Sequence, residues 1–279
     1  MGRIPRLSEA FLFLILGALL PGPAPVSAQE DFRSLDPGRP LRTTDAYPKK
    51  LFEWELQVGA RGEIGEESRS GAAPLALGVG LLPNLEAGLE VEPGFEDPDD
   101  ADTAWGVEEV GLHVLYNFNQ ESWRWPAFAA QLGVVAPVGG GEIGREGWET
   151  SGRLVATRSF ASRVRVHANG GYRHRNEADG GEFWIGGLAV DVPLGLSSRL
   201  LMADVFAEIP KEGGPTRSWA GVGARFQVSN WTVLDLGVAT RTDRWADGPS
   251  NVELTVGLSR VFGIRALTPA PRYPEPPIR

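Results

Sequence analysis

From Leu51 onward, apolar and polar residues alternate one by one. In Phe52–Arg61 the even-numbered set is Phe52, Trp54, Leu56, Val58 and Ala60, and the odd-numbered set is Glu53, Glu55, Gln57, Gly59 and Arg61. A period of two predicts a strand whose faces meet different surroundings. The same pattern recurs in twelve segments: 51–62, 73–82, 84–93, 105–118, 126–137, 148–158, 163–174, 183–193, 199–209, 218–228, 231–241 and 251–262. In the fourth, Val110, Leu112, Val114, Tyr116 and Phe118 oppose Glu109, Gly111, His113 and Asn117. Segments of about ten residues suit tilted strands that cross a bilayer.

The connections alternate in length as well. Those at 82–84, 160–163, 193–198 and 228–230 are short, and 119–125 is somewhat longer. Those between them, such as PGFEDPDDADTA and VGGGEIGREG, are long, polar and rich in Gly and Asp. Short turns at one end and long loops at the other predict an all-β, antiparallel, up-and-down transmembrane β-barrel of about 12 strands. A soluble sandwich gives no reason for such segregation. In a barrel the apolar face meets lipid and the charged face lines the lumen. Trp54, Trp105, Trp123, Trp125, Trp148, Trp184, Trp219 and Trp231 fall near segment ends, as an interfacial aromatic girdle requires. Alternation points Trp54, Trp148 and Trp184 outward, and Trp105, Trp219 and Trp231 inward or to a rim.

The first 28 residues carry Arg3 and Arg6, an apolar run from Phe11 to Leu20, and Val26-Ser27-Ala28. This reads as a secretory signal peptide cleaved after Ala28. The predicted organisation is a signal peptide (1–28), a periplasmic N-terminal arm (29–50), an outer-membrane barrel (51–264) and a Pro-rich C-terminal tail (265–279). There is no Cys, which removes disulfides, thiol catalysis and a lipoprotein anchor. The net charge of −9 argues against a nucleic-acid partner. The remaining partners are outer-membrane lipid, the barrel assembly machinery, which would read the last strand VELTVGLSRVFGI, and a small-molecule solute.

RPLRTTDAYPKKLFEWELQVG (39–59), LPNLEAGLEVEP (82–93), QLGVVAPVGGG (131–141) and RVHANGGYRHR (165–175) resemble stretches of the MetA-pathway phenol-degradation family of outer-membrane proteins. The resemblance spans about 39–262. It implies a transporter-like barrel loosely associated with aromatic or hydrophobic compounds, and it brings no catalytic residue. The Pro-rich tail departs from the family's usual ending at the last strand.

The candidate lumen residues are Glu53, Glu55, Glu86, Glu90, Glu92 and Glu109 on one set of strands, and Arg163, Arg165, His167 and Arg173 on another. Two arrangements stay open. Opposed acidic and basic walls would set a transverse field in a pore, whereas a closed network of ion pairs would fill the interior. No cofactor or metal site is expected, because the acidic loop at 92–102 lacks the spacing of a calcium loop. An enzyme is not expected either: there is no GxSxG and no HExxH, and Glu108 and Glu109, being adjacent, should point to opposite faces. Asp204 and Glu208 can share an inner face. The function that follows is passage of small molecules through an outer-membrane barrel, with a non-transporting structural barrel as the alternative.

Overall fold

The computed structural model describes residues 33–36, 39–65, 68–98, 102–138, 143–160, 163–176, 180–195, 198–243 and 251–264. The predicted signal peptide, the C-terminal tail, Trp245 and the acidic loop residues Asp99 and Asp100 lie outside them.

The strands are β1 (Glu53–Ile64), β2 (Ser68–Ala72), β3 (Leu75–Leu82), β4 (Leu85–Pro98), β5 (Ala104–Asn119), β6 (Ala127–Val135) and β7 (Glu149–Phe160). They continue with β8 (Val164–Arg175), β9 (Gly181–Pro193), β10 (Arg199–Pro210), β11 (Arg217–Ser229), β12 (Thr232–Arg241) and β13 (Val252–Gly263). Each pairs antiparallel with its chain neighbour, and β1 pairs with β13 from Glu53↔Gly263 to Ile64↔Val252. The sheet therefore closes. β2 and β3 are two pieces of one wall strand, interrupted at Ala73–Pro74, since both pair with β1 and with β4. Proline cannot donate to the ladder. Here its carbonyl accepts from Gly59 N–H at 2.9 Å, and Ala73 N–H reaches the Pro93 carbonyl at 2.8 Å. Twelve wall strands result, matching the twelve alternating segments.

The alternation sorts as expected for lipid outside and charge inside. Leu112, Leu132, Leu154 and Leu188 are exposed on the outer face, Leu112 at 56%. Glu53, Glu55 and Gln57 are buried on the inner one. Trp148 and Trp184 are exposed, as the pattern predicts.

One bulge changes the bookkeeping. Glu92 pairs with Glu109, but the next residue, Pro93, pairs with Val107, so Glu108 is an extra residue on β5. A bulge places two residues opposite one and resets the alternation beyond it. Glu108 therefore joins Glu109 on the inner side, where its Oε2 lies 3.5 Å from Arg61 Nη2. The expectation of opposite faces fails for this reason. Beyond the bulge Trp105 is turned outward, contrary to expectation. It is 47% exposed, with its ring centroid 4.9 Å from that of Phe95 on the adjacent strand.

Leu112→Arg tests the outer face. An arginine at the hydrocarbon midplane costs roughly 2–4 kcal/mol. The variant should refold poorly in detergent and lose the heat-modifiable gel mobility of a folded barrel, whereas wild-type yield would contradict a lipid-facing Leu112.

Candidate functional site

The arm does not extend away from the barrel. Its described part, residues 33–36 and 39–50, folds into the lumen from the short-turn rim and returns to β1. The reason is chemical: the inner wall near that rim is not uniformly polar. Leu200, Met202 and Ala189 face inward and pack with Leu35 and Leu41 of the arm. Leu115, Ala127, Ala129 and Val155 do the same with Ala46 and Tyr47. A water-filled lumen would leave these apolar groups hydrated, and burying them against the arm is favourable at about 25 cal/mol per Å².

The arm is tied to itself before it is tied to the wall. The Asp45 carboxylate accepts from the N–H groups of Leu35 (2.9 Å) and Tyr47 (2.9 Å), and Asp45 N–H donates to the Leu35 carbonyl (3.2 Å). The Thr44 hydroxyl donates to that same carbonyl at 2.8 Å. Burial pushes the Asp45 carboxyl up to about 6, despite the opposing charges of Arg165 and His167.

Wall side chains satisfy many of the arm's other polar groups, although Arg39 Nη1 is buried without a hydrogen-bond partner. Asn169 Oδ1 accepts from Thr44 N–H (3.0 Å) and its amide donates to the Thr44 carbonyl (2.9 Å). Asp204 accepts from the N–H groups of Arg42 (2.8 Å) and Thr43 (3.2 Å). Asn117 donates to the Ala46 carbonyl at 2.7 Å. Lys49 Nζ sits within ion-pair reach of Asp36 (3.1 Å), Glu55 (3.0 Å) and Glu86 (3.7 Å). Burial alone would lower the Lys49 ammonium, but these three carboxylates hold it well above its usual value. Burial likewise works to raise Asp36, and Lys49, Arg225 and Arg39 outweigh it, leaving its carboxyl at about 2.

Small inward residues give the arm its path. A Cβ at Gly223 would lie 2.5 Å from Pro40 Cγ, and one at Gly187 would lie 2.8 Å from Thr43 Oγ1. Gly80 meets the Lys50 carbonyl, and Phe52 N–H donates to the Gly80 carbonyl at 2.8 Å. There the chain turns into β1, with Phe52 at a φ of 61°.

The predicted lumen residues separate into two levels. Near the short-turn rim, Glu55 and Glu86 hold Lys49, and Glu53 is buried beside them. Arg165 and His167 converge on Asp191, at 2.7 and 2.8 Å, and Asp191 also holds Arg33 at 2.9 Å. Arg163 is not among them. It lies exposed in the turn before β8, where its N–H donates to the Phe160 carbonyl at 3.2 Å and its carbonyl accepts from Arg33 at 3.1 Å. Thr157, His167 and Asp191 form a hydrogen-bonded row, with Thr157 Oγ1 3.0 Å from His167 Nδ1. The order resembles a nucleophile, base and acid. All three are fully buried under the arm, and the Thr157 hydroxyl accepts from Ala46 N–H at 3.0 Å, so the row seats the arm.

Above the arm, towards the long loops, the lumen opens into two adjoining cavities of about 510 and 360 Å³. Glu90, Glu92, Glu109 and Arg173 line the smaller one. Acidic and basic walls are not simply opposed there. Glu149 and Glu208 stand among the arginines, within 3.3 Å of Arg173 and 2.8 and 3.5 Å of Arg175. Arg61 stands among the acids, in contact with Glu92. The charges are ion-paired, as in the second arrangement, but they do not fill the interior, which keeps these two cavities. Asp204 and Glu208 do share the inner face, one bound to the arm and the other to Arg173. Among the described residues no group of three His, Asp or Glu is placed to hold a metal ion.

No protein-family model matches the chain, and no curated protein matches it in sequence. Solved structures do. The COG4313 outer membrane channel from Pseudomonas putida F1 superposes with a TM-score of 0.64 at 14% identity, over 82% of this chain and 100% of that one. The NanC porin gives 0.53 at 8% identity over 74% and 98%, and the KdgM porin 0.51 at 9% over 73% and 98%. The chain thus has the fold of outer-membrane channels.

Lys49→Met tests how the arm is held. Removing one partner of a buried ion pair costs about 3–5 kcal/mol. The barrel should still form, while the amides of 41–47 should exchange with solvent more than a hundredfold faster. Unchanged exchange would show that Lys49 does not secure the arm.

Proposed function

We propose that this chain is an outer-membrane channel for small solutes, closed in this conformation by its own N-terminal arm. The observation that carries the reading is the pairing of an apolar outer face with a polar lumen that, among the described residues, holds cavities toward the long loops and is filled by residues 33–36 and 39–50 on the other side. Twelve strands enclose more space than the eight whose side chains fill a barrel by themselves. In this chain the arm takes up that space. It is held by hydrogen bonds, ion pairs and two small apolar clusters, all of which the arm can leave without disturbing the wall's backbone ladder.

In this reading residues 1–28 export the chain, the barrel assembly machinery inserts it, and the short turns face the periplasm. The long loops then face outward, and solute enters the charged vestibule first. The rings of Phe206 and Trp219 in that vestibule favour aromatic or otherwise apolar solutes, in keeping with the family that 39–59 resembles. A second reading is favoured by the same arm: a permanently filled barrel that serves as a structural or interaction element. Hydrolysis is disfavoured because the Thr157–His167–Asp191 row is sealed.

Planar-bilayer recording separates the two. A chain lacking residues 33–46 should show steady, ion-selective conductance, and the intact chain should show brief openings. Silence from both would reject the channel. The openings should also depend on pH through Asp45. Its carboxyl titrates at about 6 in the docked arm against 3.8 when free, so docking favours the protonated form. Lowering the pH from 7.5 to 5 therefore strengthens docking and makes openings rarer. Asp36 stays ionised across this window and contributes equally at both ends. Asp45→Asn should flatten the response, and an unchanged response in that variant would remove Asp45 from the gate.

A further inference from the structure

The charges of the vestibule are matched to one another with few exceptions. Arg173 and Arg175 hold Glu149 and Glu208, Arg145 reaches Glu109 and Glu149, Arg61 meets Glu92 and Glu108, and Arg42 holds Glu253 at 2.6 Å. Arg153, on the inner face of β7, stands outside this matching. Among the described residues it has no carboxylate within ion-pair distance. Its Nη1 reaches two neutral oxygens at long range, the Arg42 carbonyl (3.4 Å) and Asn169 Oδ1 (3.3 Å). Nε and Nη2 donate to no protein group among the described residues, and the side chain lines the 360 Å³ cavity.

Glu208 acts on Arg153 only from beyond ion-pair distance; a half-buried cation with no carboxylate in contact is costly to keep, and a bound anion would relieve that cost. The two unused donors form the planar fork that a carboxylate meets with both oxygens. The surroundings add a second requirement. Arg153 Cζ lies 5.9 Å from the Phe206 ring centroid, and the rings of Phe206 and Trp219 lie 6.1 Å apart at 47°. Both rings line the same cavity, so a group attached to the carboxylate meets two aromatic rings, of which Trp219 also carries Arg42 Cζ at 5.0 Å and Arg241 Cζ at 5.8 Å. Glu90, Glu92 and Glu109 line the cavity from β4 and β5. Glu90 has no cation within ion-pair distance among the described residues, so a second negative charge on the ligand would be repelled.

We propose that Arg153, Phe206 and Trp219 form a binding subsite for a monocarboxylate carried on a six-membered ring. The subsite deepens the channel reading and rests on it for entry from the long-loop side. The fork selects the carboxylate, the rings select its flank, and the acidic wall selects against dicarboxylates.

Calorimetric titration of the refolded full mature chain in detergent tests the assignment, with benzoate, cyclohexanecarboxylate, acetate and benzyl alcohol as probes. Benzoate and cyclohexanecarboxylate should bind saturably, and acetate and benzyl alcohol at least tenfold more weakly. If benzoate alone binds, the ring must be aromatic. Arg153→Gln should weaken benzoate at least tenfold, Arg153→Lys should recover only part of that loss, and Arg199→Gln, at the short-turn end of β10, should bind as wild type. Heat-modifiable mobility shows that each variant is folded, and Arg153→Lys keeps the test valid if Arg153→Gln does not fold. Equal benzoate binding in Arg153→Gln or Arg153→Lys, or equal binding of acetate, would overturn the subsite. Binding is read without transport, so a silent bilayer with intact benzoate binding rejects the channel alone. Steady conductance with no benzoate binding rejects the subsite alone.

Discussion

Closure of the sheet is the constraint on which everything else depends. Hydrocarbon offers no partner to an open strand edge, so a membrane-spanning sheet must bond its last strand to its first. Here β1 and β13 do so from Glu53↔Gly263 to Ile64↔Val252. Once the sheet is closed, period-two alternation commits every other residue to the interior. Glu53, Glu55 and Gln57 cannot be outside if Trp54 and Leu56 are to meet lipid. A twelve-stranded ring also leaves more interior than its own side chains fill. The structure answers with the N-terminal arm, residues 33–36 and 39–50, which fills the lumen near the short turns and leaves cavities toward the long loops.

The filled half is where polar satisfaction matters most. The described residues of the arm form no helix or strand, so their backbone groups need individual partners. Asn169, Asp204, Asn117 and Asp45 supply them. Lys49 carries the arm's charge into a cluster of three carboxylates, and Arg33 enters at Asp191 beside Arg165 and His167. Apart from the arm's own Asp36 and Asp45 and the bond from Arg33 to the Arg163 carbonyl in a turn, these contacts join arm groups to wall side chains, not to the wall's ladder. Docking and barrel closure are thus energetically separate, and a plug can come and go only if they are.

The barrel was legible in the chain because alternation and loop asymmetry are both long-range patterns. Twelve segments predicted twelve wall strands, with the break at Pro74 the one interruption. What escaped was local. A bulge at Glu108 has no signature in alternation, and it alone put Glu108 inside and Trp105 outside. Arg163 was read as a strand residue but falls in the turn. The arm's destination was written in a place that alternation does not inspect. Leu115, Val155, Leu200 and Met202 occupy inward positions near the short turns, where a wet lumen would need no apolar group. Gly187 and Gly223, also inward, leave room for a chain to pass. Polar and Pro-containing residues in 29–50 suggested an extended segment in solvent. Their hydrogen-bonding groups instead match polar side chains of the wall.

If the arm gates the channel, residues 33–36 and 39–50 close the lumen and can leave it. A tether tests this most directly, and the absence of native cysteine makes it clean. A Cβ at Gly187 would lie 2.8 Å from Thr43 Oγ1, which suits a disulfide between cysteines at these positions. Conductance of Thr43→Cys/Gly187→Cys is then compared before and after reductant. A gating arm gives a silent oxidised channel and openings restored by reduction. Equal conductance in both states would show that the arm does not gate the barrel.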